Sequence, residues 1–282
     1  MSEGAARALC PPVRALAIDL DGVVYQGKSL VSGSDQAIRQ FRQAGLAVFF
    51  VTNSSVRTRR EVAEKLAGMG IPCRQEEVLT SAHAAAVFVA RLAQGCPARV
   101  LAVGSDGLVA EMAAAGLSIV STSPCEYVVV GMDTSFNYEK ICEAMQAVLG
   151  GAKFVACNRD ANFPVDQGRL MPGCGAMVSA IEAACGTAPH HVVGKPGVLM
   201  LELLSAEGKL KPEEILVVGD GVDSDIGMAC AFGSPSVLIR PKGVPSSVAP
   251  VFPRPSYMTS SLAELPGLLI ALSAAGIRSQ RL

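Results

Sequence analysis

The sequence predicts an α/β protein with a doubly wound parallel sheet covered by helices on both faces. Short, continuously apolar segments such as VRALAID (13–19) and EILVVGD (214–220) have the composition of strands buried on both faces. Amphipathic segments that end at glycine, such as SDQAIRQFRQAG (34–45), are typical of helices. Because the two kinds of segment alternate along the chain, we expect parallel strands joined by helical crossovers.

The individual elements follow from these two patterns. Apolar segments rich in Val, Ile and Phe predict strands at 13–19, 46–53, 99–104, 127–132, 153–158, 214–220 and 236–239. Segments with helical periodicity predict helices at 34–45, 57–70, 106–115, 137–151, 174–186, 197–208, 224–233 and 258–276. Ser34 or Asp35 is the expected cap of the first helix, and Gly45 is its expected end.

The composition excludes several classes of protein. Half of the 282 residues are hydrophobic and the formal net charge is −1, which indicates neither disorder nor a nucleic-acid or membrane partner. No apolar run reaches the roughly 18 to 20 residues that a membrane helix needs. The nine cysteines form no CxxC pair, which argues against a zinc site or a disulfide scaffold. Reduced cysteines and a first segment without a secretion signal predict a cytoplasmic location.

Polar side chains follow the ends of several predicted strands. Asp19 and Asp21 come after the first strand and Thr52 ends the second, while Asp220 follows the strand at 214–220. In a parallel sheet these ends share one edge, where ligands bind. Carboxylates gathered there repel each other unless a cation binds, and an all-oxygen site suits Mg²⁺. Lys195 would attract an anion to the same edge, so the set predicts phosphoryl transfer.

Four ordered motifs carry a resemblance to a known family. They are DLDG (19–22), VTNSS (51–55), GKP (194–196) and GDGVDSD (219–225). Together they resemble the four motifs of the haloacid dehalogenase-like (HAD) phosphatases. The segments VVVGMDTSFNYEKI and NRDANFPVDQGRLMPGCGAM are similar to the NagD/4-nitrophenylphosphatase branch, which carries a C2-type cap domain. Ser54 departs from the pattern, since relatives often have a second asparagine there.

The resemblance implies a Rossmann-like catalytic core that is interrupted by a cap domain. This branch inserts its cap into the long segment between Thr52 and Lys195. We therefore expect the catalytic core at residues 13–81 and 189–282 and an inserted α/β cap at 82–188. Pro11 and Pro12 mark the end of an expected flexible leader at 1–12.

The resemblance also assigns roles to the acidic residues. Asp19 is expected to attack phosphorus and form an aspartyl-phosphate. Asp21 is expected to protonate the leaving alcohol and later to activate water, and like-charge crowding and burial would favour the protonated form that this role needs. Mg²⁺ would be held by the Asp19 carboxylate, the Asp21 main-chain oxygen and the Asp220 carboxylate. Asp225 would orient a water molecule on the ion.

The resemblance implies that the remaining site residues bind the substrate. Thr52 and Lys195 are expected to contact phosphate oxygens, and Asn53 beside them is expected to belong to the same phosphate-binding set. The cap is expected to read the leaving group and to close over the site. The cap residues expected near the site entrance are Asn158, Arg159 and Asp160.

The predicted function is Mg²⁺-dependent hydrolysis of a small phosphorylated metabolite. The resemblance also implies a homodimer that forms through the cap. A phosphotransferase, phosphomutase or phosphonate hydrolase of the same superfamily is disfavoured, because the large insertion follows Thr52 and does not separate the first two motifs. A non-catalytic phosphate-ligand sensor on the same fold would have lost Asp19 or Asp21, and both are present. A haloacid dehalogenase would not need the acid Asp21, and a receiver-type phosphorylation switch lacks the paired aspartates.

Overall fold

The computed structural model describes four stretches of the chain, residues 13–96, 98–164, 169–241 and 253–271. The chain divides into two compact units, Met1–Phe50 with Leu204–Leu282 and Val51–Leu203. The second unit is therefore an insertion in the sequence of the first. The leader expected at 1–12 lies outside the described residues, and the domain borders predicted at 82 and 188 stay predictions. Within the described stretches, no helix has the length and apolar character to cross a membrane.

The strands and helices alternate along the chain. The strands are β1 Ala15–Ile18, β2 Tyr25–Gln26, β3 Ser29–Leu30, β4 Ala47–Thr52, β5 Val78–Thr80, β6 Arg99–Val103, β7 Ser118–Val120, β8 Tyr127–Val130, β9 Lys153–Ala156, β10 Asn162–Pro164, β11 Leu170–Pro172, β12 His191–Val192, β13 Ile215–Gly219, β14 Ser236–Ile239 and β15 Tyr257–Thr259. The helices are α1 Ser34–Gln43, α2 Arg59–Gly68, α3 Ser81–Leu92, α4 Asp106–Ala114, α5 Tyr138–Leu149, α6 Cys174–Cys185, α7 Leu199–Gly208 and α8 Gly227–Phe232. Residues 265–271 are also helical.

In the first unit the strands run in the order β15-β14-β13-β1-β4, and neighbouring strands are parallel. Strand β1 is central, and all four of its side chains are buried, as a strand covered on both faces requires. Burial of Leu16 and Ile18 stabilises the fold by about 1.5–3 kcal/mol each. Ile18 is paired with Val218 on β13, so the chain segments that follow β1 and β13 leave the sheet side by side.

The second unit has its own parallel sheet, in the order β12-β9-β8-β6-β7. Its three central strands are the predicted apolar segments at 99–104, 127–132 and 153–158. The antiparallel hairpin of β10 and β11 follows the end of β9. Parallel sheets that alternate with helices in both units confirm the predicted α/β class.

Three of the differences from the sequence predictions have a clear physical reason. The cap of α1 is Gly33 in the left-handed region, because the Ser34 hydroxyl donates to the Val24 carbonyl and caps nothing. Helix α3 was not predicted, since SAHAAAVFVARL is nearly uniformly small and apolar and shows no clear polar face. The tail expected to be helical at 258–276 begins as strand β15, which pairs with β14, and residues 272–276 lie outside the described stretches.

Candidate active site

Three carboxylates of the first unit lie together where its central strands end. Asp19 directly follows β1, and its N–H donates to the Val218 carbonyl at 2.8 Å, which continues the ladder with β13. Asp220 directly follows β13. One carboxylate oxygen each of Asp19, Asp220 and Asp225 lies within 4.8 Å of the other two. Asp19 and Asp225 are buried, whereas Asp220 is exposed. The structure therefore brings together three of the four residues predicted to serve the metal site.

Asp225 is held in this cluster by the backbone of the loop after β13. It lies in one π-helical turn, Val222–Ile226, and its Oδ2 accepts the Gly221 N–H at 3.0 Å. A Cβ at Gly219 would lie 2.2 Å from the Asp225 carboxyl carbon, so the close approach requires glycine there. Asp223 of the same loop is exposed.

The glycine of the DLDG motif is required for two reasons. Gly22 has a φ of 86°, which side chains rarely adopt, and a Cβ there would lie 2.3 Å from Asp220 Oδ2. Its N–H donates to the Tyr25 carbonyl at 2.8 Å, which turns the chain directly after the paired aspartates. Asp21 is exposed, so the burial that was expected to favour its protonated form is absent.

The three-carboxylate cluster fits a hard divalent cation. Carboxylate oxygens are the ligands that Mg²⁺ prefers, and three of them within 4.8 Å suit a single ion. Without a cation the charges would repel each other strongly, because two of the three groups are buried. Coordination by the main-chain oxygen of Asp21 stays a prediction.

Strand β4 crosses the border between the units, and the predicted phosphate ligands lie at its end in the second unit, which begins at Val51. Thr52 is buried, and its hydroxyl oxygen accepts the Ser54 N–H at 3.1 Å. Lys195 is only 5% exposed, and its ammonium donates to the Val51 carbonyl at 3.3 Å. The ammonium therefore reaches the strand residue that precedes Thr52. Thr52 and the Lys195 ammonium thus lie at the same strand end although they are distant in the sequence, and their role in binding an anion stays a prediction.

Asn53 lies at the centre of a hydrogen-bond network in the same unit. Its Oδ1 accepts the Lys195 N–H at 2.8 Å, and its Nδ2 donates to the Lys195 carbonyl at 3.2 Å and to the Asp160 carboxylate at 3.0 Å. Its own carbonyl accepts the Asn158 amide and the Ser81 hydroxyl, both at 2.6 Å. Sequence reasoning placed Asn53 beside the phosphate but did not identify these partners.

The three residues predicted at the cap entrance have partners within the second unit. Asn158 is buried, and its Oδ1 accepts the Asp160 N–H at 3.0 Å, which closes a tight turn after β9. Arg159 forms an ion pair with Glu182 of α6 at 2.7 Å. The structure thus brings Asn158 and Asp160 to the end of β4 and turns Arg159 towards α6.

Sequence reasoning missed two residues of this network. Ser81 begins helix α3, which was not predicted, so nothing marked its hydroxyl as a partner of Asn53. At Gly194 a Cβ would lie 2.6 Å from both Asn53 Oδ1 and the Cys157 carbonyl, so only glycine leaves room for this approach. The signal at Gly194 was its place in the GKP motif, directly before the lysine.

Hydrogen bonds to Glu111 tie helices α2, α3 and α4 of the second unit together. His83 Nδ1 lies 3.0 Å from Glu111 Oε2, and the Arg59 N–H donates to Glu111 Oε1 at 2.7 Å. Burial alone would raise the pKa of Glu111, but the hydrogen bonds from His83 and from the Arg59 backbone outweigh it and lower that pKa. The charged carboxylate is therefore the stabilised form.

The cysteines beside the Asn158 turn are not suited to nucleophilic chemistry. Burial raises the pKa of Cys174 to about 12 and raises that of Cys157 well above its ordinary value. Both therefore remain thiols near neutral pH, and the thiolate is the nucleophilic form. Among the described residues, every cysteine is a free thiol, as their spacing predicts.

Comparison with known proteins identifies the family. Residues 16–118 match a family model described as haloacid dehalogenase-like hydrolase, and residues 192–265 match one described as HAD-hydrolase-like. An acid sugar phosphatase of Staphylococcus aureus (strain USA300) is 36% identical over 228 residues, which are 80% of this chain and 86% of the relative. The chain belongs to the haloacid dehalogenase-like hydrolases.

Solved structures place this hydrolase among the phosphatases of the family. A p-nitrophenyl phosphatase from Archaeoglobus fulgidus superposes with a TM-score of 0.84 at 30% identity, over 92% of this chain and all of the other. A glycerol phosphate phosphatase from Mycobacterium tuberculosis, solved with calcium, has a TM-score of 0.80 at 36% identity, over 92% and 76% of the two chains. The same phosphatase was also solved with magnesium. The protein is a HAD-family phosphatase of the NagD/4-nitrophenylphosphatase type, as its motifs predict.

Proposed function

We propose that this phosphatase hydrolyses a small phosphorylated metabolite with Mg²⁺ and through an aspartyl-phosphate on Asp19. The observation that carries the proposal is the cluster of Asp19, Asp220 and Asp225, whose carboxylate oxygens lie within 4.8 Å of one another. A single ion held by this cluster would keep the nucleophile, its metal ligands and the bound phosphate in one place.

In the first step, a carboxylate oxygen of Asp19 attacks phosphorus. The new P–O bond forms as the bond from phosphorus to the ester oxygen breaks, and the Asp21 carboxyl gives its proton to the departing oxygen. The products are an alcohol and the aspartyl-phosphate. Mg²⁺, when bound, supplies positive charge that offsets the charge on Asp19 and on the phosphate oxygens.

In the second step, water replaces the aspartate on phosphorus. The Asp21 carboxylate, now deprotonated, takes a proton from that water while the water oxygen forms a bond to phosphorus. The bond between phosphorus and Asp19 breaks, which restores the Asp19 carboxylate and releases inorganic phosphate. Exposure of Asp21 suits this exchange of partners, because it must meet first a leaving group and then water.

We assign the phosphate-binding role to Thr52 and Lys195. A buried ammonium is a strong partner for a phosphate oxygen, because water competes little with it. The Thr52 hydroxyl adds a neutral donor beside it. Such preorganised groups stabilise the charge that develops on the transferring phosphoryl group.

We propose a sugar phosphate or polyol phosphate as the substrate class. Support comes from relatives named as an acid sugar phosphatase and a glycerol phosphate phosphatase. The charge of the chain is nearly balanced and offers no separate attraction for a polymer such as a nucleic acid. A cytoplasmic location and a homodimer through the cap remain predictions.

The test is phosphate release by the purified protein. Release from 4-nitrophenyl phosphate is measured with Mg²⁺, after EDTA, and after Mg²⁺ is restored. A panel of sugar phosphates, glycerol phosphate, phosphoglycolate, pyridoxal phosphate and nucleotide monophosphates then ranks substrates by kcat/KM. Acid-quench labelling and mass spectrometry of the Asp19 peptide test for the covalent phosphoryl group.

Each outcome bears on a different part of the proposal. Inertness towards the whole panel with Mg²⁺ present would overturn the phosphatase proposal and favour a phosphate-ligand sensor. Full activity after EDTA would overturn the metal assignment alone. Transfer of phosphate to a second metabolite, without release to water, would indicate a phosphotransferase instead.

A further inference from the structure

The backbone of Lys195 is held at two points by one side chain. Asn53 accepts the Lys195 N–H at 2.8 Å and donates to the Lys195 carbonyl at 3.2 Å. A carboxamide has one acceptor oxygen and one donor nitrogen in a plane, so it matches the two polar groups of this single residue. Two hydrogen bonds to one residue fix its orientation as well as its position.

The amide nitrogen of Asn53 has both of its hydrogens engaged. One is donated to the Lys195 carbonyl and the other to the Asp160 carboxylate at 3.0 Å. An Asn amide carries two N–H hydrogens. The side chain therefore offers no further hydrogen to a phosphate oxygen, and a direct contact with phosphate would have to come from the Asn53 backbone N–H. This differs from the expectation that Asn53 binds phosphate as Thr52 and Lys195 do.

Asn53 is itself held through its backbone carbonyl. Its carbonyl accepts the buried Asn158 amide and the buried Ser81 hydroxyl, each at 2.6 Å. Gly194 packs against Asn53 Oδ1 so closely that a Cβ would lie 2.6 Å away. Three chain segments that are remote in sequence therefore meet at this one asparagine, and its rotamer is determined by its surroundings.

We propose that Asn53 is a positioning residue, which sets the phosphate affinity of the site through Lys195 and without contacting phosphate through its side chain. A lysine side chain is flexible, and a defined ammonium position requires a defined backbone from which it extends. The Lys195 ammonium is 3.3 Å from the Val51 carbonyl, so a shift of its backbone would move it away from the end of β4. This inference rests on the proposed role of Lys195 in phosphate binding.

A double-mutant cycle tests the inference. Wild type, Asn53→Ala, Lys195→Ala and the double variant are titrated with inorganic phosphate in the presence of Mg²⁺, by calorimetry. We expect Asn53→Ala to raise the dissociation constant for phosphate about tenfold. A loss of this size corresponds to about one hydrogen bond to a charged group. With Ala at position 195 the same substitution should change the affinity by less than about twofold, because the group through which it acts is gone.

Controls separate positioning from folding. Asn137 caps the N-terminus of α5, because its Oδ1 accepts the Lys140 N–H at 3.0 Å. Asn137→Ala removes this cap, so it should lower thermal stability and leave phosphate affinity unchanged. If Asn53→Ala does not fold, Asn53→Asp replaces it in the cycle. Aspartate keeps the oxygen that accepts the Lys195 N–H. It replaces the donor nitrogen by a second oxygen, which would face the Lys195 carbonyl and the Asp160 carboxylate without a hydrogen bond.

The outcomes are distinct. Equal losses in both backgrounds would overturn the inference, because they indicate a direct contact with phosphate or a general structural defect. A wild type that binds no phosphate would overturn it as well. Coupled phosphate affinities in a protein that hydrolyses no ester would leave the inference standing and refute the proposed function.

Discussion

Replacing Gly22 by alanine should disable the metal site while the fold remains intact. The added Cβ would lie 2.3 Å from Asp220 Oδ2, and real Cβ atoms essentially never approach closer than 3.0 Å. The carboxylate must therefore retreat by about 0.7 Å, the difference between these two distances. Asp220 contributes one of the three clustered oxygens, so the retreat opens the cluster.

The expected loss has two parts. A left-handed backbone costs an alanine roughly 1–2 kcal/mol, which lowers the free energy of unfolding. Misplacement of a catalytic group by about 1 Å can reduce the rate about 100-fold, and disturbance of a metal site lowers metal affinity about 10- to 100-fold. We therefore expect kcat/KM to fall about 100-fold at limiting Mg²⁺ and to recover partly when Mg²⁺ is raised.

Gly45→Ala is the matched control. Gly45 has a φ of +80° against +86° for Gly22, yet an added Cβ would meet nothing within 4 Å. Both variants should lose similar stability in urea unfolding, but only Gly22→Ala should lose 4-nitrophenylphosphatase activity and Mg²⁺ affinity. Retention of wild-type Mg²⁺ dependence by Gly22→Ala, or an equal loss of activity in Gly45→Ala, would refute the reasoning.

Three further predictions concern the proposed nucleophile, the proposed phosphate ligand and the buried carboxylate of the second unit. Asp19→Asn should fold normally and lose at least about 10³-fold in kcat, because the amide cannot attack phosphorus. Lys195→Ala should lower kcat/KM about 100- to 1,000-fold and weaken competitive inhibition by phosphate. Glu111→Gln should be less stable than wild type by about 1–3 kcal/mol at pH 7 in urea unfolding. Because the folded-state pKa of Glu111 is lowered, that difference should be complete above its ordinary value of 4.5 and vanish as the pH falls through the folded pKa.

Each of these predictions has a control in the chain. Asp223→Asn changes an exposed aspartate in the same loop as Asp225 and should stay active. Lys153→Ala removes an exposed lysine of the second unit and should leave phosphate inhibition unchanged. Glu64→Gln breaks an exposed ion pair with Arg60 and should cost less than about 1 kcal/mol at any pH. An active Asp19→Asn, or a Glu111→Gln as stable as wild type at pH 7, would contradict the assigned roles.

Local composition was enough to predict most of the fold. Strands β1 and β13 consist of continuous apolar residues, which only a sheet buried on both faces accommodates, and each is followed directly by an acidic residue. The missed helix α3 shows the limit of this reasoning, because a run of alanines satisfies a strand, a helix or a core equally well. The helix predicted at 258–276 was wrong at its start for a related reason, since pairing with β14 overrides the weak helical pattern around Tyr257–Thr259.

The sequence by itself determined which chemical groups the protein has and the order in which they follow the strands. Asp19, Asp220 and Lys195 could be selected because the ends of parallel strands share one edge, where gathered carboxylates need a cation and a lysine attracts an anion. Only the tertiary structure decided how Asn53 is used, since its amide pairs with Lys195, 142 positions further along the chain. Hydrogen-bond partners at such separation depend on how helices and strands pack, and no local pattern records that packing.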